Sequence, residues 1–382
     1  AGERAGGRSP SSPSSASSCR SRKSATRAEC AYVALLHGWK SEFLLYALAL
    51  GNRLRRLDGD TPRVLLVGKP HKGQTAPFLQ PPKVQLLRRV WRVHEVELVD
   101  APEADATGSK RHRFVFTKLR ALEVPFDRIL FLDLDVLVRK SPSPMFEVPA
   151  PAGMYHGPRH EHLTGSKDGD LIPTEAFQLG CVNAGFLRLD PRRKPAKRRK
   201  QVAEMVAEAS RIPADEACNL PEQYYLVRKL PNWRHLSVKW NCEVIPSVYI
   251  KEEETYDGTS RIHMVAWSDL PEEWFELGDT AEELARSVCI FHFSGTKLDP
   301  WWYLHLTPSE AKRQLDWAFR ARDPRGLTGL AVSEWLEAVE ELLEDVCTGQ
   351  HATEEDSAAL SALVSEVKWR AKAWWEGASI CP

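Results

Sequence analysis

The 382-residue sequence lacks any hydrophobic run long enough to span a bilayer, which takes roughly 20 apolar residues. Its longest apolar stretches lie around residues 43–50 and 129–138, and both are short or interrupted by charge. The chain also lacks an excess of either charge, because 52 Lys and Arg balance 52 Asp and Glu. We therefore expect no transmembrane segment in this chain and no overall attraction to nucleic acid, so an anionic ligand needs a local site.

Cysteine pairs of the C-x-x-C type are missing, which argues against a structural zinc site. The wide spacing of the eight cysteines is typical of isolated thiols and not of a disulfide framework. Isolated thiols favour a reducing compartment, so we expect a cytoplasmic location. The chain starts at Ala1, and a Golgi or organelle lumen is the alternative if a leader is missing.

Composition divides the chain into three regions. Residues 1–29 are rich in Ser and Arg, poor in acids and devoid of aromatics, so we predict a disordered leader. An organelle transit peptide has a similar composition and is the alternative for this stretch. We predict a catalytic domain over residues 30–305 and a C-terminal helical extension over 306–382.

Strand and helix signals alternate after residue 30, which predicts an α/β fold with a mainly parallel sheet flanked by helices. In such folds, ligands bind beyond the carboxyl ends of the strands. Ser41 is the expected N-cap of the first helix. The predicted elements are strands at 31–38, 61–68, 90–102 and 127–138, with helices at 41–57 and 113–124.

The second half of the chain is less regular. Residues 177–191 predict a strand pair joined by a tight turn, and 287–295 predict a buried strand. Helical periodicity marks residues 197–210, and two more helices at 333–346 and 357–375 form the predicted extension.

Two aspartates interrupt the most apolar strand of the sequence, FLDLDVLV. Burying Asp133 and Asp135 without partners is costly, and two close like charges repel. A divalent cation removes both costs, and oxygen ligands suit Mn²⁺ or Mg²⁺. The alternative is that both residues cap loop amides or pair with arginine.

The same segment matches the nucleophile motif of haloacid-dehalogenase phosphatases. There the first aspartate attacks and the second acts as general acid. In those enzymes the motif lies on the first strand of the core, whereas three strand signals precede Asp133 here.

Other segments accompany the aspartates along the chain. They are SEFLLY with Phe43, FTKLRAL with Thr117 and Lys118, CVNAG with Asn183 and Gly185, PEQYY with Glu222 and Gln223, and HFSGTKLDPW with His292, Gly295 and Lys297. In this order they resemble the glycogenin-like retaining glycosyltransferases of family 8, over about residues 30–303. The resemblance implies a GT-A (Rossmann-like) fold and hexose transfer from a nucleotide sugar, a UDP-sugar with Mn²⁺ or Mg²⁺. The acceptor, a carbohydrate, protein or lipid, stays open.

The resemblance also implies a role for each matching residue. The metal ligands would be Asp133, Asp135 and His292. Donor contacts would come from Leu36, His37, Phe43, Lys118, Asp133, Leu134, Gly185, Gly295 and Lys297. A core position in the first helix is the alternative for Phe43. Catalytic contacts would come from Asn183, Glu222, Gln223 and Lys118, with Gln223 near the anomeric carbon.

Two departures from the family pattern qualify these roles. Glu222 replaces the usual aspartate, and Lys297 is displaced from its usual spacing to Pro300 and Trp301. Because an amide such as Gln223 is a poor nucleophile, we expect attack by the acceptor from the same face.

Alternatives from other function classes also fit the sequence. An inactive family member would serve as a binding scaffold, and a self-glucosylating protein would need an acceptor among Tyr224, Tyr225 and Tyr249. The C-terminal helices make a homodimer possible.

Overall fold

The computed structural model describes residues 29–38, 40–69, 81–101, 113–156, 167–178, 181–212, 221–244, 250–254, 260–264, 278, 280–294, 298–320, 323, 325–349 and 352–376. The predicted leader falls outside these residues except for Glu29. Within the described ranges, no helix has the length and apolar character needed to cross a membrane.

Twelve strands occur in the described part of the chain. They are β1 (Cys30–Leu36), β2 (Arg63–Gly68), β3 (Arg92–Val96), β4 (Arg128–Leu132), β5 (Val136–Val138), β6 (Ala152–His156), β7 (Cys181–Leu189), β8 (Arg234–His235), β9 (Cys242–Glu243), β10 (Ile250–Glu254), β11 (Ser260–Met264) and β12 (Ile290–His292).

The described helices surround these strands. The α-helices are α1 (Ser41–Leu57), α2 (Pro81–Val90), α3 (Pro195–Ala209), α4 (Pro221–Lys229), α5 (Ala281–Ser287), α6 (Pro308–Phe319), α7 (Leu327–Cys347) and α8 (Glu354–Trp375). Short 3₁₀ helices cover Val115–Glu123, Ser143–Glu147, Thr174–Gln178, Val238–Trp240 and Pro300–Tyr303.

A seven-stranded sheet in the order β3-β2-β1-β4-β7-β6-β8 forms the centre of the fold. Strands β3, β2, β1 and β4 run parallel, whereas β7 is antiparallel to both β4 and β6. The mixed, mainly parallel sheet confirms the fold class predicted from the alternating strand and helix signals.

Strand β1 contributes to hydrophobic cores on both faces of the sheet. Tyr32 and Ala34 pack into the core that contains α1 and the C-terminal helices, while Val33 packs into the core with α3 and α4. Successive side chains of a strand point to opposite faces, so an all-apolar strand belongs at the centre of a covered sheet.

A second sheet has the strand order β5-β12-β9, and its strand β5 is the next strand after β4 in the described chain. The prediction of one continuous strand over residues 127–138 was therefore wrong, because the strand is interrupted between Leu132 and Val136. The backbone N–H of Asp133 donates to the carbonyl of Gly185 at 2.9 Å, and the N–H of Phe293 donates to the carbonyl of Asp135 at 2.8 Å. Because the two aspartates pair with different strands, the chain passes from one sheet to the other between them.

Three local predictions also differ from the structure. Residues 181–189 form one continuous strand and not a strand pair, and Val115–Glu123 is a 3₁₀ helix where an amphipathic helix was predicted. Lys40 occupies the N-cap of α1, because the Ser41 hydroxyl donates to Glu366 at 2.7 Å and does not cap the helix.

The C-terminal helices α7 and α8 pack against α1 and share its hydrophobic core. Ion pairs reinforce this contact at both ends of α1, between Glu42 and Arg370 at 2.8 Å and between Arg53 and Glu341 at 2.6 Å. Through these contacts the C-terminal helices hold α1, which begins shortly after the end of β1. The division at residue 305 stays a prediction.

Gly51 gives a stability test of the packing between α1 and α2. A methyl group at Gly51 would lie 2.4 Å from Trp91 Nε1 and 2.9 Å from Val90 Cγ2. Trp91 cannot yield freely, since its indole N–H donates to the buried carbonyl of Ala47 at 2.7 Å. We expect Gly51→Ala to lower the free energy of unfolding by about 1–3 kcal/mol in urea titrations. An increase of about 1 kcal/mol, the normal effect of alanine in a helix, would contradict this packing.

Candidate functional site

The candidate site lies at the edge of the main sheet where parallel strands end. Strands β1 and β4 are neighbours and end at Leu36 and Leu132, so the residues that follow them meet at one edge. His37 follows β1, and Asp133 follows β4. This is the edge at which ligands bind in open α/β sheets.

Asp133, Asp135 and His292 come together at this edge. Each offers a ligand atom, and the three atoms lie within 4.8 Å of one another. His292 reaches the cluster because β12 pairs with β5, which follows Asp135 directly, and its Nε2 lies 3.5 Å from Asp135 Oδ1. Two carboxylates and an imidazole form a donor set that fits Mn²⁺ or Mg²⁺.

The charges in the cluster are balanced in pairs. Burial alone would raise the pKa of Asp135, but the hydrogen bond and charge of His292 outweigh burial and lower it. Burial alone would lower the pKa of His292, and Asp135 reverses this so that the pKa is raised. For Asp133, burial prevails over the nearby lysine and raises the pKa. A divalent cation would add positive charge beside both carboxylates.

Lys118 connects the aspartates to α4. Its ammonium lies 2.9 Å from Asp133 Oδ2 and 3.4 Å from Glu222 Oε1. Burial opposes its charge, but the two carboxylates outweigh burial and raise the pKa, so Lys118 stays protonated. The three residues thus form one chain of charges, and the predicted contact of Lys118 with the donor stays a prediction.

Glu222 and Gln223 lie buried at the start of α4. The carboxamide oxygen of Gln223 accepts a hydrogen bond from the thiol of Cys181 at 3.5 Å. The structure therefore brings the predicted sugar-binding pair next to Lys118 and to the first residue of β7. Their roles in catalysis stay predictions.

Asn183 is held on three sides. Its Oδ1 accepts from the backbone N–H of Gly185 at 2.8 Å and from Asn241 Nδ2 at 2.9 Å. Its Nδ2 donates to Glu243 Oε1 at 3.0 Å. A carboxamide has two N–H donors, so the second N–H of Asn183 is the group suited to a sugar hydroxyl.

Three residues of this network had no place in the sequence prediction: Asn241, Glu243 and Ser294. The Glu243 side chain is only 1% exposed and also accepts a hydrogen bond from the Ser294 hydroxyl. One feature of the sequence could have indicated Glu243. It lies between Cys242 and Val244 in an apolar stretch, and a buried acid there needs hydrogen-bond partners.

The predicted base-binding residues lie around the start of α1. Phe43 is 40% exposed, which excludes the alternative that it is a core residue, and it lies beside Gly38. Leu36 and Leu134 are buried. Contact of these residues with a nucleotide stays a prediction.

His37 lies near the charged pair Lys118 and Glu222. Burial and the positive charge of Lys118 lower its pKa to about 4, although Glu222 opposes them. The imidazole is therefore neutral at pH 7 and can both donate and accept a hydrogen bond.

Donor contacts were predicted for two glycines and a lysine: Gly185, Gly295 and Lys297. Gly295 and Lys297 lie outside the described residues. Gly185 is described, and its Cα faces the imidazole of His292 so closely that a methyl group would lie 2.2 Å from Cε1. The close approach that Gly185 permits in this structure is therefore to His292.

Comparisons with known proteins gave distant similarities. No family model matches the chain. Uncharacterized protein R707 of Acanthamoeba polyphaga mimivirus is 25% identical over 220 residues, which cover 56% of this chain and 72% of that protein.

Three of the solved structures that resemble this chain illustrate the low sequence identity. The galactosyltransferase LgtC, in complex with donor and acceptor sugar analogs, is 14% identical with a TM-score of 0.43, covering 86% of this chain and 99% of that one. The glycosyltransferase GlyE of Streptococcus pneumoniae TIGR4 is 14% identical with a TM-score of 0.40, covering 71% and 56%. Mouse xyloside xylosyltransferase 1 is 15% identical with a TM-score of 0.33, covering 71% and 99%. Because these TM-scores lie below 0.5, the similarities support no conclusion about activity, and the activity has to be inferred from the residues of this chain.

Gly185→Ala should disturb the cluster through His292. The added methyl would overlap the buried imidazole, so we expect a loss of about 1–3 kcal/mol in the free energy of unfolding and weaker Mn²⁺ binding in calorimetry. Gly153→Ala on the neighbouring strand is the control, because its methyl meets the Leu187 side chain at 3.0 Å and not a candidate ligand. Equal Mn²⁺ affinity in both variants would contradict the assignment of His292.

His37 should make stability depend on pH. An unfolded histidine titrates near 6.5, so the unfolded chain binds one more proton between about pH 6.5 and 4, and the free energy of unfolding falls as the pH is lowered through this window. Allowing for partial solvent screening, we expect His37→Gln to remove about 2 kcal/mol of that fall in urea titrations. His94→Gln, at an exposed position on β3, should keep the full fall. An unchanged pH profile in His37→Gln would show that His37 is not the group responsible.

Proposed function

We propose that the protein is a metal-dependent retaining glycosyltransferase that moves a hexose from a UDP-sugar to an acceptor. The observation that carries the proposal is the convergence of Asp133, Asp135 and His292 at the ligand edge of the sheet. The two aspartates and the histidine come from two separate segments that the sequence resemblance had assigned to one metal site. The proposal includes membership of family 8 and a GT-A fold.

The donor set would hold Mn²⁺ or Mg²⁺ against the donor diphosphate, where the cation supplies positive charge for the leaving group. Lys118 lies beside this position, and two of its three N–H donors face Asp133 and Glu222. The third is suited to a phosphate or sugar oxygen of the donor. Lys118 would thus add a positive charge that protein packing holds in place before the reaction.

The neighbouring polar groups would orient the hexose. Glu222 would accept a hydrogen bond from a sugar hydroxyl, and the remaining N–H of Asn183 would donate one. Gln223 would lie against the anomeric carbon. Phe43, exposed beside Gly38, would stack on the uracil base.

Transfer would then take place on one face of the sugar. The bond between the anomeric carbon and the diphosphate oxygen breaks, and UDP leaves with the electron pair. The acceptor hydroxyl forms the new bond to the anomeric carbon, and its proton passes to the departing diphosphate oxygen. This course needs no covalent sugar–enzyme intermediate, which agrees with the weak nucleophilicity of the Gln223 amide.

The phosphatase alternative agrees less well with the structure. Its nucleophile would have to be Asp133, which follows β4 and not the first strand of the sheet, and whose Oδ2 contacts Lys118. An inactive scaffold remains as an outcome of the following experiment.

Donor cleavage tests the proposed function. UDP release should be measured over a panel of UDP-sugars with Mn²⁺ or with EDTA. We expect release to need the metal, and Asp135→Ala to lower it at least about 100-fold, which corresponds to roughly 2.7 kcal/mol of barrier.

Asp345→Asn is the matched control, because it removes one carboxylate from α7 at a position that contacts Arg56 on α1. Its activity should equal that of the wild type. Release that is unaffected by EDTA would refute metal dependence. Absence of release from a folded protein with every donor would favour the scaffold.

A further inference from the structure

Glu243 on β9 is a buried carboxylate that the proposed mechanism does not use. Within the described part of the chain, one of its two oxygens is engaged: Oε1 accepts hydrogen bonds from Asn183 and Ser294. The other, Oε2, is buried and has no hydrogen-bond partner among the described residues. Because an unpartnered buried carboxylate oxygen is costly, its retention calls for a donor that arrives on ligand binding.

His292 presents the complementary feature. Its Nε2 lies 3.5 Å from Asp135 Oδ1, so Nε2 is the nitrogen that faces the candidate metal position. Its Nδ1 is buried and, within the described part of the chain, has no hydrogen-bond partner. An imidazole that binds a metal through Nε2 must carry its proton on Nδ1, and that N–H needs an acceptor.

The fold places Glu243 and His292 side by side on adjacent strands. Strands β9 and β12 are parallel, and Glu243 is the register partner of His292. Paired residues of adjacent strands project from the same face of a sheet. Gly185 lies over the ring, where any Cβ would be 2.5 Å from Nδ1, so the absence of a side chain keeps this space clear.

We infer that Glu243 is a positioning residue that accepts the Nδ1–H of His292 through Oε2 when Nε2 binds the cation. This inference rests on the proposed metal site. Through Oε1 the same carboxylate orients Asn183, so a single buried acid sets both a metal ligand and a proposed sugar contact. Such an acceptor fixes the tautomer and the ring orientation of a ligating histidine.

The substitution Glu243→Gln tests the inference with little change in volume. The glutamine carbonyl can replace Oε1 and keep the bond from Asn183, which turns its NH₂ group toward His292. Two N–H donors would then face each other, so His292 would move its proton to Nε2 and lose the nitrogen that binds metal. We expect Mn²⁺ affinity, measured by electron paramagnetic resonance of the free ion, to fall about 10- to 100-fold.

Asp345→Asn serves as the control for the loss of one negative charge away from the site, and it should bind Mn²⁺ as the wild type does. If the wild type itself does not bind Mn²⁺, the proposed metal site fails and the inference fails with it. If the wild type binds and Glu243→Gln binds equally well, the metal site stands and the inference is overturned.

A second reading keeps the inference testable even if Glu243→Gln does not fold. In nitrogen-15 and proton spectra of histidine-labelled wild type saturated with diamagnetic Mg²⁺, the Nδ1 proton of His292 should be shifted downfield by its hydrogen bond to a carboxylate. In a folded Glu243→Gln variant it should appear on Nε2. A wild-type Nδ1 proton at the position of a water-exposed imidazole N–H would overturn the inference.

Discussion

Two carboxylates placed at the junction of two sheets impose the main constraint on this structure. Asp133 and Asp135 lie between β4 and β5, where the chain leaves the seven-stranded sheet and enters the three-stranded one. Each charge must be compensated there, since burial raises the free energy of an unpaired carboxylate. Lys118 contacts the first, and His292 contacts the second.

Several features of the fold follow from that compensation. His292 reaches Asp135 because β12 pairs with β5, and its ring fits because Gly185 has no side chain. Lys118 is available because the 3₁₀ helix Val115–Glu123 precedes β4 and packs against α3. The C-terminal helices hold α1, which begins beside the site and presents Phe43 to solvent. The scaffold thus stabilises an arrangement of charges that a divalent cation would complete.

Local periodicity predicted the elements whose stability depends on one covered face. The helix at residues 41–57 was predicted with the bounds the structure gives it, since its apolar residues recur at helical spacing. The break after Leu132 was not predictable in this way, because it depends on backbone bonds to Gly185 and Phe293, which lie far away in sequence. The apolar pattern continues across the break although the strand does not.

The candidate site also contains residues that the sequence could predict and residues that depend on contacts distant in sequence. Asp133, Asp135 and His292 were predicted as one site because their motifs occur in a fixed order, and the structure places the three side chains close together. Glu243 had no place in the prediction because its partners are distant in sequence: Asn183 lies on β7, and Ser294 follows β12, the strand that pairs with β9. The N-cap of α1 was assigned to the wrong residue because Ser41 is engaged by Glu366, near the other end of the chain.

Anomalous diffraction at the manganese edge, from crystals grown with Mn²⁺ and UDP, would locate the metal directly. We expect one strong peak within bonding distance of Asp133, Asp135 and His292, with the diphosphate on its open side. A peak elsewhere, or UDP bound with no peak at this cluster, would contradict the claim that these three residues form the metal centre.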